Sequence, residues 1–300
     1  MESETIKREV ENSLTKIYDR DGHSFSLYLY KGIPQPALPV VPSVLANISS
    51  LPLRADDIVI SAYPTAGTHW IWEVTSMIVN GRAERIPSIK EENMIDFMLK
   101  DQLDSKPSPR VLNTHLHPTF LPETLLKNNK IIFIARNPKS VVVSYYRHMW
   151  SIEIIQYDGN FHSFFELFMD GNVPSGDYFE YTRQWWPIIK DNPNVLIITY
   201  EEASKDLVKI VSLIAKFLGK EIDEQLIKDI ADMCTFDRMK KEKISVKEDV
   251  FKINFKDNSG FFRSGKVSTW KEWMTVAQNE RMDARIQKEL LEQGINLNIF

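Results

Sequence analysis

Four short stretches carry residues whose types and spacing would suit an anion and a proton transfer. The first is YPTAGTHW, residues 63–70, directly after the apolar run DDIVISA. A strand that ends in a tight turn and restarts as a helix aims backbone N–H groups and the positive end of a helix dipole at one point, and that favours an anion. Gly67 permits close backbone approach, and Thr68 offers a capping hydroxyl. The pattern GxxxxGK[ST] is not met, because no lysine follows the glycine. The second stretch, ARNPKS, places Arg136 before an Asn137–Pro138 helix start, with Ser144 about two turns further on. The third, NTHLHPTFLP, puts His115 just past an apolar run, where an imidazole would suit a general base. The fourth, GFFRSG, sets Arg263 between two glycines. Taken singly, each has a plain structural reading: a loop connection, a salt-bridged arginine, a hydrogen-bonded histidine, a turn. His69 and His117 carry that plain reading still more strongly.

These residues need a scaffold that brings them to one crevice. DIVISAY, RVLNTH, KIIFIAR and NVLIITY are short, β-branched and apolar nearly throughout, as strands buried on both faces are. Helical patterns follow three of them. Ile71, Val74, Met77 and Ile78 share a face, as do Val141, Tyr145 and Met149, and then Leu207, Val211, Ile214 and Phe217, with Gly219 as a C-cap. Alternation of this kind predicts an α/β domain with a central, mainly parallel sheet flanked by helices. Ligands of such sheets bind beyond the carboxyl ends of the strands, which is where the candidate residues fall. A single domain over residues 1–300 is expected, with the polar residues 1–25 only loosely held. SFSLYLYKGI leans to β structure, and the five prolines between Pro34 and Pro52 suggest an irregular wrap.

Composition narrows the function. Apolar residues make up 43% and charged residues 26% of the 300, enough for a buried core in a soluble chain. A net charge of −4 gives no support to nucleic-acid or membrane partners. The start, MESETIKREVENS, has no apolar core of a secretory signal. No apolar run approaches the ~18–20 residues of a membrane span. The single cysteine, Cys234, excludes a disulfide framework and a cysteine zinc site, and no metal is expected. A cytoplasmic protein follows as the expectation.

Together the motifs resemble the cytosolic sulfotransferase family, over about residues 31–285. YPTAGTHW is similar to the family's YPKSGTTW loop, NTHLHPTFLP to its KTHLP segment, and IARNPKSVVVSYY to its ARNPKDVxVSYY signature. ITYEEASKDL resembles YEDMKxDP, FFRSGKVSTW resembles FxRKGxxGDW, and KEWMTVAQNE fits the dimer motif KxxxTVxxxE. The resemblance implies a sulfotransferase fold, similar to nucleotide kinases. It implies transfer of a sulfuryl group from 3′-phosphoadenosine 5′-phosphosulfate (PAPS) to a hydroxyl or amine of a small molecule, leaving PAP. By position, Thr65, Ala66, Gly67, Thr68, His69 and Trp70 would hold the phosphosulfate. Arg136, Ser144 and Arg263, with Ser264 and Gly265, would bind the 3′-phosphate. Trp70, Tyr200, Cys234 and Phe236 would lie about the adenine, Phe261 would also contact the cofactor, and His115 would take the acceptor's proton. Lys271, Thr275, Val276 and Glu280 would join two copies, though Thr275 also reads as a plain helix cap.

The departures from the family pattern bear on activity. Thr65 and Asn113 stand where the family has lysines, Ser264 stands for a third, Cys234 for a serine or threonine, and Ser268–Thr269 for Gly-Asp. Losing one preorganised donor typically costs ~10²–10³ in rate. His69 or His117 is expected to replace part of the charge. The alternatives are a PAPS-, PAP- or small-ligand-binding pseudoenzyme on the same fold and a nucleotide-kinase-like enzyme. The latter is disfavoured by the missing phosphate-gripping lysine and Walker-type Ser/Thr. The acceptor pocket should involve the N-terminal apolar stretch, Phe97, Met98, Met149 and Trp150.

Overall fold

The computed structural model describes residues 2–243 and 268–299. Seven strands form two sheets. β1 (Thr15–Tyr18), β2 (Ser24–Tyr30) and β3 (Ile33–Pro36) make an antiparallel meander. β4 (Ile58–Ala62), β5 (Val111–Thr114), β6 (Lys130–Ala135) and β7 (Val195–Thr199) make a parallel sheet in the order β5-β4-β6-β7. The four apolar runs read from sequence are these four strands.

Their composition follows from burial on both faces. All five residues of β4 are buried, and alternate side chains enter different cores. Val59, Leu112, Ile131 and Phe133 join one apolar cluster. Ile58, Ile60, Ala62, Val111, Ile132 and Ile134 join the other, with the helices α3 (Thr68–Asn80) and Leu207–Leu218. The period of two thus persists although the apolar runs of these strands do not display it. At the opposite end of the sheet from the site, Arg110 donates to both carboxylate oxygens of Asp57, at 2.6 and 2.5 Å, and also to the carbonyls of Leu103 and Pro52.

The amino-terminal segment departs from expectation. Residues 2–12 form α1 (Glu2–Asn12), packed on α2 (Val41–Asn47) through the buried Val10, and β1 follows at once. One apolar anchor in a charged helix is too sparse a pattern to read from sequence. The proline-rich stretch is likewise more regular than a wrap, since β3 and α2 both lie within it. Among the described residues no helix is long and apolar enough to cross a membrane.

Candidate active site

The carboxyl end of β4 runs into the turn Tyr63–Ala66, closed by the Ala66 N–H to the Tyr63 carbonyl at 3.2 Å. Thr65 sits there at φ 64°, a left-handed conformation that a β-branched residue rarely adopts. Gly67, at φ 117°, is the N-cap of α3, and a Cβ on it would meet the Tyr200 ring at 2.9 Å. The glycine therefore serves both the turn and the aromatic behind it. Ala66 and Thr68 are buried, and the Thr68 hydroxyl has no hydrogen-bond partner among the described residues.

Arg136 arrives from the end of β6. Its Nη1 donates to the Thr65 carbonyl at 2.7 Å, and its guanidinium lies 4.0 Å from the Tyr200 ring centroid. The side chain is buried, has no carboxylate within ion-pair distance among the described residues, and leaves Nε without a partner. Burial pulls its pKa down. An arginine serving only a salt bridge would not look like this. The helix start read from Asn137–Pro138 is present: the Asn137 side chain accepts from the Lys139 N–H, and the helix runs Pro138–Ser151 with Ser144 half-buried on it.

The aromatic group closes the far side. Tyr200 follows β7, and its ring meets Trp70 edge-on at 5.5 Å. Trp70 Nε1 donates to the Cys234 carbonyl at 2.7 Å. Cys234 is fully buried, with Sγ 3.8 Å from the Met77 sulfur. Phe236 opens the Phe236–Lys243 helix and packs on the same cluster as Trp70.

His115 lies beyond β5, half-buried. Its Nδ1 is 2.7 Å from the Ala62 carbonyl. That contact assigns the proton to Nδ1 and leaves Nε2 as the acceptor. Burial first, and then the charge of Lys90, lower its pKa to about 3. Asp96 accepts from the His115 backbone N–H at 2.9 Å, and its other oxygen has no hydrogen-bond partner among the described residues. Burial raises the Asp96 pKa to about 6, against the hydrogen bonds from Thr114 and His115.

The two proposed sources of charge separate. His69 Nε2 lies 3.3 Å from Glu91 Oε1. Burial alone would raise the Glu91 pKa, but His69 and Lys90 outweigh it and hold it far below the ordinary range. His117 is buried, with its ring nitrogens 2.9 Å from Gln184 Oε1 and 2.9 Å from the Ser175 carbonyl. Both nitrogens face oxygen acceptors of the scaffold, which hold the ring in place. Phe261, Arg263, Ser264 and Gly265 lie outside the described residues. Lys90, Glu91 and Asp96 were not foreseen, because they fall in a charged, aperiodic stretch with nothing to signal burial. Among the described residues no group of acidic, histidine or cysteine side chains could hold a metal ion.

The turn after β4, the buried Arg136 beside it and His115 just past β5 lie at the carboxyl end of the parallel sheet. Residues 55–294 match the sulfotransferase domain family. The chain is 32% identical to human sulfotransferase 1C2 over 263 residues, covering 84% of this chain and 88% of that protein. It is 35% identical to sulfotransferase 1E1 of Bos taurus over 261 residues, covering 81% and 86%. Among solved structures it is similar to mouse sulfotransferase SULT7A1 complexed with PAP, with a TM-score of 0.73 and 28% identity, over 88% of this chain and 94% of that one. The chain belongs to the sulfotransferase family.

Proposed function

We propose that this PAPS-dependent sulfotransferase uses His115 as its general base, with residues 65–70 around the phosphosulfate and Arg136 on the nucleotide. The observation that carries the reading is Arg136: a buried guanidinium with Nε unpartnered and no carboxylate within ion-pair distance among the described residues, against the Thr65 carbonyl of the loop. Leaving such a group unpaired is costly, and a phosphate dianion would satisfy it bidentately. The unpartnered Thr68 hydroxyl fits the same ligand, and Trp70 and Tyr200 offer ring faces and edges to an adenine.

The step balances without a metal. His115 Nε2 takes the acceptor's proton as its oxygen or nitrogen bonds to sulfur, and the S–O bond to the phosphate breaks, releasing PAP. The acceptor is a small molecule bearing a hydroxyl or an amine. Ser144 on the Pro138–Ser151 helix and Arg263, Ser264 and Gly265 complete the 3′-phosphate site in this proposal.

Titration with PAP, followed by melting temperature, tests it. Wild type should gain stability by mass action, about 2.7 kcal/mol at a hundredfold excess over Kd, and Arg136→Met should lose most of that gain. An equal gain in Arg136→Met would overturn the assignment. The pseudoenzyme reading rests on Thr65 and Asn113 in place of the family lysines. PAP binding without sulfate transfer from labelled PAPS to any of a mixed phenol, alcohol and amine panel would favour it.

A further inference from the structure

We propose that Lys90 supplies the positive charge that the sulfuryl group meets in this site, in place of the lysines that the family carries at positions 65 and 113. The inference rests on the PAPS reading above.

Lys90 is only 6% exposed. Its ammonium lies 3.3 Å from Glu91 Oε1 and 3.8 Å from the Met94 sulfur. Among the described residues these are its neighbours in bonding reach, so an ammonium with three donors faces one carboxylate oxygen and a poor acceptor. That oxygen is shared, since His69 of the anion loop reaches it at 3.3 Å, while Glu91 Oε2 is buried with no partner. A structural ion pair would be expected to use both oxygens and to exhaust its donors. Here one carboxylate oxygen serves two cationic side chains, and one of the two comes from the loop that cradles the anion.

The placement of Lys90 is tied to the substitution at 113. Asn113 Nδ2 donates to the Lys90 carbonyl at 2.8 Å and to the Asn93 carbonyl at 3.1 Å, clamping both ends of the turn Lys90–Asn93. The residue that lacks the charge thus fixes the segment that carries one. Lys90 is also among the charges that act on His115 and Asp96, where it favours the neutral imidazole and the ionised carboxylate. Because field strength rises as water is excluded, a buried ammonium here acts more strongly on a sulfuryl oxygen than an exposed one would.

PAP and PAPS differ only in the sulfuryl group, so their affinity ratio isolates the contact without requiring turnover. Calorimetric titration without acceptor is done on wild type, Lys90→Met, Lys90→Arg and Glu91→Gln. Lys90→Met should weaken PAPS at least tenfold more than PAP, and Lys90→Arg should keep most of the wild-type ratio. Glu91→Gln, which removes the competing carboxylate, should shift the ratio further towards PAPS. Equal effects of Lys90→Met on both nucleotides, or none, would overturn the assignment. Should Lys90→Met fail to fold, an unchanged or reversed ratio in Glu91→Gln overturns it alone. A wild type that binds neither nucleotide sinks the PAPS reading itself, whereas one that binds both, with the ratio unmoved in the variants, sinks only Lys90.

Discussion

The proposed role of His115 as a base requires that it be kept neutral. The Ala62 carbonyl fixes the Nδ1 proton, and burial with the Lys90 charge lowers the pKa to about 3. A free-enzyme base of that kind is already deprotonated at every pH where the protein works, so the kcat/KM profile should show no acid limb from this group between pH 5.5 and 8. His115→Asn keeps a donor for Ala62 but no base, and should lower kcat by ~10²–10⁴ with PAP affinity unchanged. The same shift has a stability consequence. The unfolded chain takes up a proton near pH 6.5 and the folded one only near 3, so the contribution is full above 6.5 and fades as pH falls towards 3. Asp96 runs the other way: with its folded pKa raised from 3.8 to about 6, its contribution is full below 3.8 and is lost as pH rises through 6. Wild type should therefore lose melting temperature more steeply than His115→Asn between pH 7 and 5. Parallel curves for the two proteins would contradict the neutral, buried histidine.

The turn from β4 into α3 concentrates the demands of the site in one place. Thr65 tolerates a left-handed backbone, and Gly67 has both a φ of 117° and a neighbouring ring 2.9 Å from where a Cβ would stand. Gly67→Ala must move Tyr200, and with it the face on which Arg136 lies at 4.0 Å. Its cost should exceed the ~1 kcal/mol of an ordinary glycine replacement, and PAP affinity should fall at least tenfold, read by titration of the folded variant. Unaltered affinity would show that the loop and the ring are independent. The elements around this turn were legible in sequence because their residues obey strong local rules. The four central strands are apolar on both faces, Asn137–Pro138 is a helix start, and Gly67 sits where a turn needs it. The segment bearing Lys90, Glu91 and Asp96 was not legible. Its burial is imposed by Asn113 and His115 on a neighbouring strand end, and short 3₁₀ turns such as Lys90–Asn93 have no apolar period to reveal it. The partners of His117 were not legible for a related reason: Gln184 and Ser175 lie more than fifty residues away in the chain.

The Val276–Glu289 helix packs inward through Met282 and Ile286 and is capped by the Thr275 side chain, which accepts from the Gln278 N–H. The cap explains Thr275 by itself, but it leaves Val276 unexplained, since an apolar residue 75% exposed at a helix start gains nothing from the fold. With Lys271 and Glu280 on the same short stretch, we propose that Val276 marks a small two-fold contact between copies of the chain. So few residues bury little area, and the association should accordingly be weak and concentration-dependent. Light scattering is expected to show a dimer at micromolar concentration and dissociation on dilution. Val276→Glu sets two carboxylates face to face and should give a monomer with unchanged melting temperature at low concentration and unchanged turnover per subunit. A wild type that stays monomeric at tens of micromolar, or a Val276→Glu protein that stays dimeric, would place the contact elsewhere and return Thr275 to a helix cap and nothing more.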